Sequence, residues 1–499
     1  MAAAESPDRY RIEPTVGQAL RRPRLLTREV VAGLVVALAL IPEAIAFSVV
    51  AGVDPRVGLF SSFILAVVIA FTGGRPAMIT AAAGAVALVI APVAREHGPD
   101  YLIVTIVLAG VIQVLFAVLG LARLMRFIPR SVMVGFVNAL AILIFLSQLP
   151  QLIDVPWAVY VLVGAGIVIL ALWPRITRAV PAPLIAIVVL TAAVVVFGLS
   201  AVPNVADQGE LPRSLPELLI PDVPLTIETL RIVAPYAFAA ALVGLLESLM
   251  TAKLVDDITD THSRKTREAW GLGVANIAAA FFGGTGGCAM IGQTMINVKT
   301  SGGRTRISTF FAGVWVLVLV VVLGDIVGLI PMAALVAVMI AVSVMTFDWH
   351  SVQPSTLKRM PLSETAVMLI TVIATVWTHN LAVGVILGVL AAMALFARRV
   401  AHFTTVTRTL DGDTARYRVD GELFFASSND LTTQFAYASD PRRVVIDLSR
   451  THVWDASTVA ALDAIVTKYQ QRGIHVQLEG MSDAAASFHG RLSGGLGGA

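Results

Sequence analysis

Two glutamates stand out for what surrounds them. Glu43 lies in Ile41-Pro-Glu-Ala-Ile-Ala-Phe47, thirteen residues past Val30, and Glu247 lies in Val243-Gly-Leu-Leu-Glu-Ser-Leu-Met-Thr251, thirteen past Ala234. If the flanking apolar runs cross a bilayer as helices, both carboxyls sit about 20 Å into it. An ionisable group at that depth is costly, and it normally faces a polar cavity or a partner. The alternative for either acid is a hydrogen bond to a neighbouring helix. Thr251 follows Glu247 by one turn on the same face. Carboxylate and hydroxyl at that spacing could bind a small hard cation such as Na⁺ with help from unwound carbonyls, or Glu247 could take up a proton.

An anion site can be built without a cationic side chain. A helix that starts inside the membrane aims unpaired N–H groups and the positive end of its dipole at the cavity. Two segments offer this, 78 to 94 and 288 to 298, both short and rich in small residues. Glycines precede each: Phe71-Thr-Gly-Gly-Arg-Pro76 and Phe282-Gly-Gly-Thr-Gly-Gly287. Thr80, Ala82, Gly84, Ala289, Gly292, Gln293 and Thr294 would let an oxyanion approach the main chain. Close helix packing alone could also account for either run; their matched positions favour a site.

These groups require many membrane spans to hold them. The chain has 499 residues, 57% hydrophobic and only 14% charged, enough for more than ten crossings at about 20 residues each. Such a composition excludes a disulfide scaffold, a disordered chain and a nucleic-acid binder; Cys288 is the only cysteine and the net charge is +3. Candidate spans are 30–53, 57–73, 78–94, 101–121, 131–149, 155–173 and 183–199, then 234–254, 269–282, 288–298, 307–324, 327–346, 364–378 and 381–397. The polar loop 200–231 divides these fourteen seven and seven, so the second half runs inverted, and the two short segments fall third in each half. Short, glycine-interrupted segments at matching places point to a binding site at the midplane between repeats.

Basic residues then set the orientation. Arg21, Arg22, Arg24 and Arg28 precede the first span, and Arg123, Arg126, Arg130, Arg175, Arg178, Lys253, Arg264, Lys265, Arg267, Lys299, Arg304, Arg306, Lys358, Arg359, Arg398 and Arg399 fall on the same side. Only Arg56, Arg95, Arg213 and Arg231 lie opposite, which predicts cytoplasmic termini. Residues 1–27 are polar, with no cleavage pattern, so the first span is expected to be retained. The transmembrane domain is read as 28–400.

After Arg399 the composition changes. Strand 417–426, helix 430–438, strand 443–448, helix 456–472, strand 474–479 and helix 483–491 predict a small cytoplasmic α/β domain over 404–492, with a frayed tail over 493–499. His97, His262, His350 and His379 show no metal-ligand spacing, and the tryptophans near span ends read as interfacial anchors. Asp256, Asp257 and Asp260 read as part of a solvated loop. No nucleotide loop or nucleophile–base pattern is present, so an enzyme is not expected.

Nearly the whole chain resembles the SulP anion permeases. The resemblance rests on Ile41 to Ser48 followed by Ala51-Gly-Val-Asp-Pro-Arg-Val-Gly-Leu59, on Glu247 to Thr251, on Asn297-Val-Lys followed by Ser301-Gly-Gly-Arg-Thr305, and on a C-terminal domain similar to a STAS domain. It implies a polytopic helical fold of 14 segments as a 7+7 inverted repeat, with UraA-like core and gate domains and a cytoplasmic STAS domain. It also implies a homodimer. It implies roles for Glu247, Thr251 and Glu43; together with the short segments read above, the expected substrate-binding residues are Glu43, Phe47, Thr80, Ala82, Gly84, Glu247, Ala289, Gly292, Gln293 and Thr294, and the expected coupling-ion residues are Glu247, Thr251 and Glu43.

Two departures refine this. Many members carry an Arg in segment ten, where this chain has Gly292-Gln-Thr-Met-Ile-Asn297, and the following loop is one residue longer. Without that Arg the two acids oppose an anion unless neutralised, which favours coupled uptake over exchange. Asp455-Ala-Ser-Thr458 replaces the Asp-Ser-Ser-Gly of phosphorylated STAS relatives, which argues against a phosphate switch there, although Ser457 remains. The expectation is a secondary transporter of a sulfate- or bicarbonate-class oxyanion coupled to H⁺ or Na⁺, with no other cofactor and a cytoplasmic protein as a further STAS partner. A dicarboxylate symporter, a nucleobase permease and a membrane scaffold working through its STAS domain are the alternatives.

Overall fold

The computed structural model describes residues 14–120, 128–176, 180–209, 211–212, 214–224, 226–401, 404–425, 427 and 431–493. Arg123, Arg126, Arg178 and Arg213, the tail 494–499 and the start of the expected helix at Asp430 lie outside the described residues. The chain divides into two compact units, Met1–Val389 and Leu390–Ala499.

Short helix α1 (Val16–Arg21) is closed by a reciprocal Thr15–Gln18 capping box. The first half then comprises α2 (Pro23–Ala51), α3 (Pro55–Thr72), strand β1 (Thr80–Ala81), α4 (Gly84–His97), α5 (Pro99–Val118), α6 (Arg130–Gln148), α7 (Trp157–Ile176) and α8 (Ala182–Val196). The second comprises α9 (Ile227–Thr259), α10 (Lys265–Phe281), strand β2 (Cys288–Ala289), α11 (Ile291–Met295), α12 (Arg306–Gly328), α13 (Met332–Thr346), the short α14 (Pro354–Arg359), α15 (Leu362–Thr378) and α16 (Leu381–Ala401). Prolines start α2, α3 and α5, where the missing N–H costs nothing. Eight of the described helices are long and apolar enough to cross a membrane, and α8, α13 and α15 are shorter apolar helices.

The packing repeats when the halves are exchanged. Helix α2 packs on α12 as α9 packs on α5, α3 on α12 as α10 on α5, and α6 on α15 as α13 on α7. This is the inverted repeat seen as contacts. Helices α2 to α5 and α9 to α12 form one body; α6 to α8 and α13 to α15 form the other.

Segments three and ten are not plain helices. In each, an extended stretch precedes a helix that begins at mid-chain depth, and β1 and β2 pair antiparallel, Thr80 opposite Ala289 and Ala81 opposite Cys288. Extended backbone survives inside a bilayer only where protein satisfies it. Here Met290 N–H donates to Ile79 O (2.9 Å), Ser248 Oγ accepts from Ala289 N–H (3.0 Å) and Thr294 Oγ1 accepts from Ile79 N–H (3.0 Å). Asn297 and Thr309 donate to the Ala77 and Met78 carbonyls at 2.8 and 3.0 Å. Asn276, itself held by Gln113, both accepts from and donates to Gly287. Beyond α11 the chain continues as a π-helical turn, Ile296–Thr300, in the stretch that the sequence marks as one residue longer.

The second unit holds a four-stranded sheet in the order β3 (Thr405–Asp411), β4 (Thr414–Leu423), β5 (Arg443–Val453), β6 (His475–Glu479), antiparallel between β3 and β4 and parallel thereafter. Helices α17 (Ala456–Gln470) and α18 (Asp483–Leu492) follow β5 and β6, and Tyr417, Val419, Ile446, Leu462, Ile465 and Tyr469 fill the core. Two expectations are corrected. Strand β3 is additional, closed onto β4 through Gly412 at φ 60°. The expected helix 430–438 is replaced by turns from Thr432 on, because the Ala436 N–H is taken by Tyr417 Oη (3.0 Å) instead of a helical carbonyl.

Candidate functional site

Between the two bodies lies a cavity of about 840 Å³. Its walls bring together Glu43 and Phe47 of α2, Gly84 at the start of α4, Glu247 of α9, and Gly292 and Gln293 of α11. Phe136, Leu140 and Ile144 of α6 and Val338 of α13 close the opposite, apolar side.

Each acid reaches the cavity for a local reason. Pro42, inside α2, contributes no N–H to the helical ladder immediately before Glu43, and Gln293 of α11 lines the same cavity as the Glu43 carboxyl. Oε2 of Glu247 accepts from the Cys288 thiol at 2.9 Å. Both glutamates are nearly buried, at 7% and 8% exposure. Helices α4 and α11 begin after Ala83 and Met290, neither of which offers a side-chain cap, so their first-turn N–H groups are free to face a ligand. At Gly84 an added Cβ would lie 2.7 Å from Phe47, so only glycine lets that ring lie against the helix start.

Other expected site residues stand behind the wall rather than in it. Thr80 and Ala289 face each other in the β1–β2 pair, and Ala82 N–H donates to Ser62 Oγ (3.3 Å). Thr294 supports Ile79, and the Thr251 hydroxyl donates to the main-chain carbonyls of Glu247 (2.8 Å) and Ala289 (3.3 Å). For Ala82, Ala289, Thr251 and Thr294 the physical reason is the extended backbone, whose main-chain groups these residues supply or serve, whereas the buried Thr80 hydroxyl has no hydrogen-bond partner among the described residues.

Lys299 was counted among loop cations, yet its π turn brings it to the cavity wall. Among the described residues it is the one cationic side chain that lines the cavity, six positions after Gln293. Two more buried carboxylates went unread in the sequence. Glu29, fully buried, accepts from the N–H groups of Arg304 and Thr305 and from the Thr305 hydroxyl (2.8, 3.0 and 2.9 Å), closing the start of α12. Glu268 accepts from the N–H groups of Gly74 and Arg75 (2.6 and 3.0 Å). Asp256 is not in a solvated loop: α9 runs on to Thr259, and Arg75 pairs with Asp256 at 3.2 Å while donating to Thr259 and Thr261. The pattern Glu–main-chain N–H at a helix start is a capping signal that reading by span depth alone overlooks.

Comparison with known proteins agrees with this architecture. The sulfate permease family matches residues 26–158 and 151–371, and the STAS domain family matches 406–488. The putative sulfate transporter YbaR of Bacillus subtilis is 50% identical over 463 residues, covering 93% of this chain and 96% of that protein. In fold, the chain is similar to the murine Solute Carrier 26 family member A9 anion transporter in the inward-facing state (TM-score 0.83, 17% identity, 98% of this chain and 89% of that one). It is also similar to the transmembrane domain of the cyanobacterial bicarbonate transporter BicA (TM-score 0.65, 22% identity, 74% of this chain and 98% of that one). The chain belongs to the sulfate permease family: it is a multi-pass membrane transporter that carries a C-terminal STAS domain.

Proposed function

We propose that this member of the sulfate permease family is an anion transporter that takes up a small inorganic oxyanion of the sulfate or bicarbonate class, coupled to a proton through Glu247 with Glu43 assisting. The anion is held against the first turns of α4 and α11, and the two bodies rock against each other to expose it alternately to either side. The reading places the protein in a bacterial inner membrane with cytoplasmic termini, as a homodimer.

The observation that carries the reading is that one cavity is lined by both membrane-depth carboxylates and by the glycines that open both half-helices, Gly84 and Gly292. An anion beside two ionised carboxylates in a low-dielectric cavity is strongly repelled. Lys299 offsets one of these charges at most. Neutralising an acid as the cargo enters removes the remaining conflict and couples the two movements. A proton is favoured over Na⁺ because the Thr251 hydroxyl already serves two main-chain carbonyls, so a cation at Glu247 would lack that ligand, whereas a proton needs only the carboxylate.

The test is uptake of labelled sulfate and bicarbonate into proteoliposomes under imposed proton or Na⁺ gradients. Wild type is expected to respond to the proton gradient, and Glu247→Gln to lose that response while remaining folded. Full gradient-driven uptake by the variant, or a response to Na⁺ alone, would count against the mechanism.

A further inference from the structure

A second cavity, of about 370 Å³, opens on the outside of the membrane unit and shares no residue with the first. Val16 and Leu20 of α1, Ala70 and Phe71 of α3, and Ile307, Phe310 and Phe311 of α12 form an apolar groove, and Arg267 and Arg306 stand in its wall. The apolar side is open: Phe71 is 69% exposed and Leu20 59%. Phe71, Phe310 and Phe311 stack edge to face at 5.9 and 5.5 Å, giving a rigid aromatic floor.

All of this lies at one membrane surface. Helix α3 ends where α10 and α12 begin, and because α3 returns the chain that α2 carried across, this surface is also the one at which α1 and the start of α2 lie. Arg267 donates to the carbonyls of Thr72 and Phe71 (3.1 and 3.0 Å), and Arg306 to those of Ala70 and Gly73 (3.1 and 2.6 Å). Each guanidinium has five N–H donors and spends two in these bonds. The charges that act on Arg306 are Arg267, Arg264 and Glu268. That acid accepts from the Gly74 and Arg75 N–H groups through one oxygen, and one carboxylate against three guanidiniums leaves the cluster an excess of positive charge beside an apolar trough.

We propose that this groove binds an anionic phospholipid, its phosphate between Arg267 and Arg306 and an acyl chain along Leu20, Phe71 and Phe310. Charge complementarity decides the occupant. A zwitterionic lipid leaves the guanidiniums uncompensated, and a free anion leaves the aromatic trough in water, whereas a lipid with net negative charge answers both at the depth where headgroup meets acyl chain. The site would tie α1 to α3 and α12 and make the amino-terminal helix sensitive to lipid composition.

The test reconstitutes the intact protein in phosphatidylcholine with and without phosphatidylglycerol and reads retained lipid by native mass spectrometry, together with thermal unfolding. Wild type is expected to retain phosphatidylglycerol in preference and to unfold at higher temperature with it. Arg267→Gln should lower that preference by about fivefold, from roughly 1 kcal/mol per basic residue at an anionic surface. Because Arg306→Gln risks loosening the end of α3, Leu20→Glu is the second variant: it keeps both arginines, blocks the trough, and should lose the preference too. Equal retention of phosphatidylglycerol by wild type and both variants overturns the proposal, as does stabilisation by inorganic phosphate in phosphatidylcholine equal to that given by the lipid. The transport assay on Glu247→Gln reads none of these residues, so the two ideas fail separately.

Discussion

The Cys288 thiol donates to Glu247 Oε2 at 2.9 Å, which fixes one carboxylate oxygen of α9 against the strand that precedes α11. The single cysteine of the chain thus touches the acid assigned to coupling. A hydrogen bond of this kind contributes about 0.5–1.5 kcal/mol. Cys288→Ala is therefore expected to slow proton-driven uptake by about two- to tenfold and to change its pH profile, with Cys288→Ser retaining most of the rate. Initial rates across a range of external pH check this; an unchanged profile in the alanine variant would leave the thiol a packing role only.

Gly84 and Phe47 make a second pair. A methyl at residue 84 meets Phe47 Cε1 at 2.7 Å and Cζ at 3.1 Å, too close for either to stay. Gly84→Ala should push the ring into the cavity and raise KM for the anion while the protein still folds. The double variant Gly84→Ala with Phe47→Leu is expected to recover part of the loss. If the single variant transports with an unaltered KM, the helix start does not bound the binding space.

Arg75 latches the β1 loop to the end of α9. Its side chain is 1% exposed and pairs with Asp256 at 3.2 Å. Removing one member of such a pair strands the other, at a cost of about 3–5 kcal/mol. Arg75→Gln should lower the thermal unfolding midpoint in detergent clearly, and Arg75→Gln with Asp256→Asn should cost less than the sum of the two single changes. Strict additivity would show that the two residues do not act together.

In the STAS unit, Tyr417 and Tyr469 both donate to Asp440 Oδ2, at 2.6 and 2.5 Å, and Arg408 secures Oδ1. Burial, then the carboxylate, pushes both phenols above their ordinary value. The folded value exceeds the unfolded one, so this contribution to stability is full below about pH 10 and is lost as pH rises through the folded value. Ultraviolet titration of tyrosinate in the intact protein should show a late component that shrinks in Tyr417→Phe and in Tyr469→Phe. Titration of every tyrosine in the ordinary range would contradict it.

Much of this molecule was legible because membrane spans are written in long apolar runs. All fourteen segments appear; depth within the first and eighth led to Glu43 and Glu247, the matched short segments led to Gly84 and Gly292, and all four line one cavity. What escaped was written in single polar residues. Ser62, Ser248, Asn276 and Thr309 look like ordinary small polar positions in the sequence, and only the pairing of β1 with β2 shows that each serves a main-chain group. Lys299 escaped because a π turn, unlike a regular helix, has no periodic signal of its own. Strand β3 had a signal, the two-residue turn Gly412-Asp413 that closes its hairpin, a Gly-Asp pair of the type that favours such turns.

The two-rung pairing of residues 80–81 with 288–289 has a mechanical consequence. It rivets the amino-terminal repeat to the carboxy-terminal one at the deepest point of each, so neither half-helix can retract from the cargo without dragging its counterpart along. The proposed rocking of the two bodies would spare this junction and fall on the seam where α2 and α4 meet α6, α8 and α13.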